Sequence, residues 1–263
     1  MAYDLTVDGI VVKELPLSDN DKLLTIITGK KGKMVVLAKG IKAINSKRSA
    51  GAHLFCYSEF CFVKRDERLW LDAIEVKDTF SGLSDDIEAV ALASYFCEVA
   101  NETCVEENDE SEMLRLILNS LYALANLKTK PKWMIKAAFE LQAMCIQGFL
   151  PNFDACALCA SEIKTPPKHI IFELMQGGVV CDKCIGAESF EPTKDGHLIG
   201  RDTFEAVKYI CTSPQAKMLS FSLPESSKRE FSNICEQYLI VQTEKKFKTL
   251  DYYIKNFTSS IKG

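Results

Sequence analysis

The sequence of 263 residues contains only three histidines, and it lacks the motifs of the common hydrolases and nucleotide-binding enzymes. His53, His169 and His197 are isolated from one another, so no H-E-x-x-H zinc site is present. Neither the G-x-S-x-G nucleophile elbow nor the G-x-x-x-x-G-K-[ST] phosphate loop occurs. These absences argue against a hydrolytic or nucleotide-driven enzyme.

Long apolar runs are also missing. No stretch of about eighteen apolar residues exists, so we expect no membrane span and no membrane partner. The opening residues MAYDLTVDG carry two acids and no basic segment, which is unlike a signal peptide. We therefore expect a cytoplasmic protein. In a reducing compartment its eleven cysteines indicate metal or redox use rather than a disulfide framework.

Residues 1–80 read as β structure, with alternating apolar residues and many Val and Ile side chains. Tight turns are expected at Gly29–Gly32 (GKKG) and at Asp66–Glu67. Five short strands without a competing helical period favour a small closed barrel such as an OB-fold, because closure removes sheet edges. The five predicted strands are YDLTVDGIVVKEL, KLLTIIT, KMVVLAK, HLFCYSEFCFVKR and RLWLDAIEVKDTF.

The rest of the sequence shows helical patterns, which one cysteine-containing segment interrupts. Ser84 is predicted to cap the first helix, and residues 81–150 form the first part of an α-helical domain. Residues 151–190 form an insertion that contains the cysteine pairs, and residues 191–263 form the second part of the helical domain. The predicted class is α+β and multi-domain: an N-terminal OB-fold barrel, then an α-helical domain with an inserted four-cysteine zinc ribbon.

Two Cys-x-x-Cys pairs stand in the insertion, separated by 21 residues: Cys156, Cys159, Cys181 and Cys184. Gly177 and Gly178 predict a hairpin turn before the second pair. Four thiolates close a tetrahedron around Zn²⁺ and leave no open position, so one structural zinc ion per chain is expected. Four buried or redox cysteines without a metal are the alternative interpretation.

Charge is distributed unevenly along the chain. Eight basic residues and no acid lie between Lys22 and Arg48, and seven acids with no base lie between Glu98 and Glu112. The basic run indicates either a polyanion-binding surface or simply the solvated edge of a small β domain. The acidic run indicates either a solvated connection between helices or a docking surface. The aromatic residues of the barrel are available for base stacking, but none is assigned to it.

Several motifs in the chain resemble those of the RecO family of bacterial DNA repair and recombination mediators. They are the Gly-Ile-Val-Val strand at 9–12, Lys22-Leu-Leu, Thr28 to Gly32, Ala38-Lys39-Gly40, Ser46 to Arg48, and ELQAMCIQGFLPNFDACALC with GGVVCDKC. The resemblance implies binding to single- and double-stranded DNA, annealing of complementary strands and no enzymatic activity. It also implies a bacterial, nucleoid-associated protein that works with RecR and sometimes RecF. SSB, through its C-terminal tail, is a further implied partner, and RecA loading is the outcome.

Carried onto this chain, the resemblance assigns DNA contacts to Lys30, Lys31, Lys33, Lys39, Lys42, Lys47 and Arg48. Ala-Lys-Gly-Ile-Lys-Ala replaces the commoner Ala-Lys-Gly-Ala-Arg-Arg, so one of two adjacent basic positions is lost. An acidic SSB tail needs a lysine-rimmed groove. Its candidate residues are Lys245, Lys246, Phe247, Lys248 and Tyr252, for which a solvated amphipathic helix is the alternative.

Two other functions remain open at this point. One is a zinc-ribbon module that binds nucleic acid or protein and does not anneal strands. The other is a metal-dependent nuclease or hydrolase, which the closed four-cysteine sphere disfavours because it leaves no position for a substrate or water.

Overall fold

The computed structural model describes residues 3–43, 46–65, 68–187, 190–191 and 193–258. Contacts divide the chain into two compact units: unit 1 is Met1–Lys128 with Phe247–Gly263, and unit 2 is Thr129–Lys246. An antiparallel sheet followed by helices and a four-cysteine cluster confirms the predicted fold class. Asp66 and Glu67, predicted to form a turn, lie outside the described residues. Among the helices described, none is long and apolar enough to cross a membrane.

Five antiparallel strands form the sheet of unit 1, in the order β3-β2-β1-β4-β5. They are β1 (Leu5–Pro16), β2 (Lys22–Thr28), β3 (Lys33–Ala38), β4 (Tyr57–Arg65) and β5 (Arg68–Asp78). The two edge strands β3 and β5 approach each other, so the sheet curls into a barrel. Its core contains Val11, Leu24, Ile26, Val36, Ala38, Ile41, Ala52, Phe60, Phe62 and Leu71.

A bulge in β1 helps the sheet to curl. The register with β2 shifts between Val11 and Lys13, so that Val11 faces Ile26 and Lys13 faces Thr25. Val12, the extra residue, is buried like Val11 beside it. Because a bulge increases the local right-handed twist, it bends this strand in the way that a small barrel requires.

Three helices belong to unit 1: α1 (Ile87–Thr103), α2 (Ser111–Asn126) and α7 (Lys248–Phe257). The prediction that Ser84 caps α1 is wrong. Asp86 caps it instead, since its carboxylate accepts hydrogen bonds from the backbone N–H groups of Glu88 and Ala89. A carboxylate there also complements the positive end of the helix dipole.

Helix α7 packs on α1 although about 150 residues separate them in the chain. The ring of Phe247 meets that of Tyr95 edge to face, with centroids 5.8 Å apart. The carboxylate of Glu98 accepts hydrogen bonds from the backbone N–H groups of Lys248 and Thr249, at 3.2 and 2.9 Å. A side chain of α1 thus satisfies the free N–H groups that begin α7.

The connection between α1 and α2 docks onto the β2–β3 hairpin. The backbone N–H of Lys33 donates to the carbonyl of Val105 at 2.9 Å, and that of Glu110 donates to the carbonyl of Gly29 at 2.9 Å. The acidic run Glu98–Glu112, called the acidic segment below, is therefore attached to the barrel by its backbone. It is more than a solvated connection between helices.

Unit 2 is built on helices α3 (Lys132–Ile146), α5 (Arg201–Thr212) and α6 (Glu225–Thr243). Buried Lys136 of α3 pairs with Glu140 at 2.7 Å and with Glu236 of α6 at 2.8 Å. Burial opposes the charged form of Lys136, but the two carboxylates outweigh it and raise the pKa of Lys136. Since removing one partner from such a pair leaves a buried charge uncompensated, the network ties α3 to α6.

Gly32 provides a test of the hairpin contact. It has φ +62°, and an added Cβ would lie 2.3 Å from the carbonyl oxygen of Val105. Gly40 is a matched control, with φ +64° and no atom within 4 Å of its added Cβ. We expect Gly32→Ala to lower the free energy of unfolding by about 1–3 kcal/mol more than Gly40→Ala, because only Gly32 adds a clash to the left-handed strain. Urea denaturation followed by circular dichroism measures the difference, and equal losses would contradict the docking.

Candidate nucleic-acid interface and metal centre

The cysteine segment folds as a four-stranded sheet with the order β6-β8-β7-β9. Its elements are β6 (Asn152–Cys156), β7 (Ile170–Glu173), β8 (Gly178–Val179), β9 (Gly196–Ile199) and the one-turn helix α4 (Asp182–Ile185). Gly177, with φ +60°, turns the chain between β7 and β8, as predicted. The first Cys-x-x-Cys pair begins at the last residue of β6, and the second begins just after β8 and ends within α4.

The structure brings all four predicted cysteines together. Their sulfurs lie within 4.8 Å of one another. The Sγ atoms of Cys156 and Cys184 are 3.9 Å apart, and those of Cys159 and Cys181 are 3.8 Å apart. A tetrahedral Cys₄ centre, with metal–sulfur bonds of about 2.3 Å, holds its sulfurs about 3.8 Å apart. The cluster therefore has the composition and the dimensions to hold a metal ion.

The electrostatics of the cluster agree with this geometry. Hydrogen bonds from the side chain and backbone of Ser161 lower the pKa of Cys159 to about 6. The adjacent sulfur of Cys159, followed by burial, raises the pKa of Cys184 to about 12. Four thiolates this close repel one another unless a cation compensates their charge, and a bound dication supplies that compensation. The backbone N–H of Cys181 also donates to the Sγ of Cys156 at 3.3 Å.

The acidic segment engages the lysines of the β2–β3 hairpin. Lys31 forms an ion pair with Glu107 at 2.9 Å, and both side chains are exposed. The ammonium of Lys33 donates to the carbonyl of Asn101 at 3.0 Å. Lys30 is exposed and interacts electrostatically with Asp109. Lys30 and Lys31, at this end of the predicted basic surface, therefore lie beside acids of the α1–α2 connection.

Arg48 has a structural position in the barrel. Its Nη1 donates to the carbonyl of Leu71 on β5 at 2.7 Å, and its Nη2 donates to the carbonyl of Lys39, just after β3, at 2.8 Å. One guanidinium therefore bridges the seam where the two edge strands meet. The fork of N–H groups suits this task, because it reaches two acceptors at a fixed angle.

The loop that follows β3 is anchored to the turn after β1. The carboxylate of Asp21 accepts a hydrogen bond from the backbone N–H of Gly40 at 2.8 Å, which lowers the pKa of Asp21. The ammonium of Lys42 donates to the carbonyl of Ser18 at 2.9 Å. The Gly40 contact and a backbone bond from the N–H of Lys42 to the carbonyl of Asn20 hold the loop in place beside the barrel, while the ammonium of Lys42 stays exposed.

Three cationic side chains of this loop are exposed, and we call them the loop patch: Lys39, Lys42 and Lys47. The ammonium of Lys39 lies 4.6 Å from the ring centroid of Trp70, which is a cation–π contact. Phe60 and Phe62 are fully buried in the barrel core and offer no face to a ligand. Trp70, by contrast, is only half-buried.

The residues predicted for an SSB tail fall in different places. Lys245 and Lys246 end unit 2, whereas Phe247, Lys248 and Tyr252 belong to unit 1. Phe247 is only 1% exposed, so it is a core residue, and the prediction that it belongs to a partner-binding surface is wrong. Tyr252 is exposed, and the SSB role of the four other residues stays a prediction.

Sequence reasoning missed three features: the seam contact of Arg48, the Lys39–Trp70 pair and the docking of the acidic segment. For the last of these a signal exists. A run of eight bases and a run of seven acids in one chain attract each other, and both lie in unit 1. For Arg48 no local pattern distinguishes a guanidinium that binds carbonyls from one that binds phosphate.

Residues 1–80 match the family described as "Recombination protein O N terminal", and residues 84–251 match "Recombination protein O C terminal". Proteins named "DNA repair protein RecO" are similar over nearly the whole chain. The one from Acetivibrio thermocellus is 29% identical over 248 residues, which are 94% of this chain and 95% of that protein.

Two further relatives carry the same name. The protein from Desulforamulus reducens is 26% identical over 97% of this chain and 95% of its own length. The protein from Clostridium perfringens is 27% identical over 92% of this chain and 94% of its own length. The similarity thus extends through both units.

Replacement of Arg48 by Lys tests the seam contact. Lysine keeps the charge but cannot reach both carbonyls with a rigid fork, so we expect Arg48→Lys to lower the free energy of unfolding by about 1.5–3 kcal/mol. Lys47→Ala, at the exposed neighbouring position, is the control, with an expected change within about 0.5 kcal/mol. Thermal and urea unfolding measure both. An Arg48→Lys protein as stable as the control would show that the bridge contributes nothing.

Proposed function

This chain belongs to the RecO family, and we propose that it binds single- and double-stranded DNA, anneals complementary strands and helps to load RecA on SSB-coated DNA. The observation that carries the proposal is the match to both RecO family models, in order, along the chain. Under this proposal the protein hydrolyses no nucleotide and acts as a mediator rather than an enzyme.

The loop patch supports DNA binding by charge. Each lysine that neutralises a phosphate releases condensed counterions, which favours binding and makes it dependent on salt. A cationic surface also reduces the repulsion between two strands, so that base pairing completes the annealing. Lysines contact the sugar–phosphate backbone rather than individual bases, which suits a protein that acts on any sequence. We assign the main contacts to Lys39, Lys42 and Lys47, and lesser ones to Lys30, Lys31 and Lys33.

The proposed partners follow from the family. They are RecR, in some bacteria RecF, and the acidic C-terminal tail of SSB, with RecA as the protein finally loaded. Cytoplasmic action at the nucleoid belongs to the same proposal.

We also propose that the four cysteines hold one structural zinc ion. Cys156, Cys159, Cys181 and Cys184 would occupy all four tetrahedral positions, and the metal would stabilise the small sheet of the insertion. The short strands and small apolar cluster around Cys156, Ile171 and Val180 give this part of unit 2 little core of its own.

Zinc removal is expected to affect stability more than DNA affinity. We expect about one zinc per chain by elemental analysis, loss of that zinc in Cys184→Ser, and a lower unfolding temperature for the variant. Cys145→Ser, in the same unit but outside the cluster, should retain its zinc. Full zinc content in Cys184→Ser would contradict the assignment, and so would a metal-free native protein of unchanged stability.

Annealing of complementary labelled strands, with and without SSB, tests the proposed function. The wild-type protein should accelerate annealing without nucleotide. Replacing Lys39, Lys42 and Lys47 together by Ala should slow annealing and make the dependence of log affinity on log salt shallower by about 2 to 3. Arg48 is left intact in this variant, because its loss would disturb the barrel itself.

A second triple variant gives the matched comparison. Lys30→Ala/Lys31→Ala/Lys33→Ala removes the same charge from the hairpin, where Lys31 already pairs with Glu107 and Lys30 lies beside Asp109, and should change the salt dependence less. Strand cleavage by the wild-type protein, or binding indifferent to salt, would overturn the proposed function.

A further inference from the structure

The ring of Trp70 lies on the outer face of the barrel. Strand residues alternate between faces, and Leu71, the next residue, belongs to the core. Trp70 pairs with Val63 of β4 across the sheet and is half-buried. Packing in the barrel core therefore does not explain why a large aromatic side chain stands at position 70. A surface that binds flat, apolar rings would explain it.

One guanidinium positions both the ring and its cation. Arg48 donates to the carbonyl of Leu71, the residue after Trp70, and to the carbonyl of Lys39 itself. The guanidinium thus fixes the backbones that carry both members of the Lys39–Trp70 pair. A site whose groups are positioned before the ligand arrives loses less entropy on binding.

We propose that Trp70 is a stacking platform for an unpaired base of single-stranded DNA, and that Lys39 binds the phosphate beside that base. The inference rests on the proposed function and deepens it. Every base has a π face, so stacking on tryptophan is tolerant of sequence. Lys39, exposed on a flexible stem, exchanges its contact with the ring for one with the phosphate when a base enters.

The platform gives the loop patch a preference for single strands. Lys42 and Lys47 contact phosphates, which single strands and duplexes both present. In a duplex the base faces are already stacked on their neighbours and cannot reach Trp70. The ring therefore adds affinity for single strands only, and a strand held on it leaves once pairing withdraws its base.

Tryptophan fluorescence tests the contact directly, because the chain contains only two tryptophans. In Trp133→Phe all tryptophan emission comes from Trp70, and titration with a 15-nucleotide oligo(dT) should quench it, while a duplex of the same length should not. In Trp70→Phe all emission comes from Trp133 in unit 2, and it should not respond. Unquenched Trp70 emission under conditions where the oligonucleotide is bound would overturn the proposal.

Affinity measurements separate stacking from folding and from DNA binding as such. Trp70→Ala should weaken oligo(dT) binding about tenfold and duplex binding less than twofold, with Trp70→Phe closer to the wild type. Tyr122→Ala, which removes an exposed ring from α2 in the same unit, should change neither. Equal weakening on both DNA forms, or none, would overturn the platform. Failure of the wild-type protein to bind either DNA form would instead overturn the proposed function.

Discussion

A guanidinium bridges the seam where the edge strands of the barrel meet. A five-stranded sheet in the order β3-β2-β1-β4-β5 leaves backbone groups of β3 and β5 without a ladder partner, and Arg48 joins the carbonyls beside that gap. The seam contact and the Asp21–Gly40 hydrogen bond together position the start of the loop after β3. Lys39 and Trp70 lie on the two backbones that the guanidinium joins, so the closure of the barrel and the layout of its cationic surface are linked.

The second constraint is the distribution of charge within unit 1. The β2–β3 hairpin and the loop patch both carry positive charge, and the acidic segment docks on the hairpin. Lys31 pairs with Glu107 of that segment, whereas the three lysines of the loop patch stay exposed, and two of them interact electrostatically with Asp21. The fold therefore divides a basic run that looks continuous in the sequence into a part that meets the acidic segment and a part that does not belong to that contact.

Local patterns in the sequence predicted the strands, the main helices and the four clustered cysteines, because alternation, helical period and Cys-x-x-Cys spacing are short-range properties. The wrong prediction of Ser84 as the cap shows that such patterns do not fix the exact start of a helix. The start depends on which nearby acceptor reaches the free N–H groups of the first turn. The contacts between Lys31 and Glu107, and between Glu98 and α7, join residues 76 and about 150 positions apart. Such pairings are set by the fold as a whole, and the spacing of residues along the chain does not predict them. Chain order also places α7 beside α6, whereas contacts place it with α1.

The packing of α7 against α1 has a consequence for the order in which the ribosome makes the two units. The face of α1 that carries Tyr95 is completed by Phe247 and α7, which leave the ribosome only after the 118 residues of unit 2. Until then unit 1 keeps an apolar surface open to water, at a stage when partly folded chains aggregate most easily. Unit 2 is inserted in the chain between the two segments of unit 1. The interval between the synthesis of α2 and that of α7 is thus the one in which this apolar face lacks its cover.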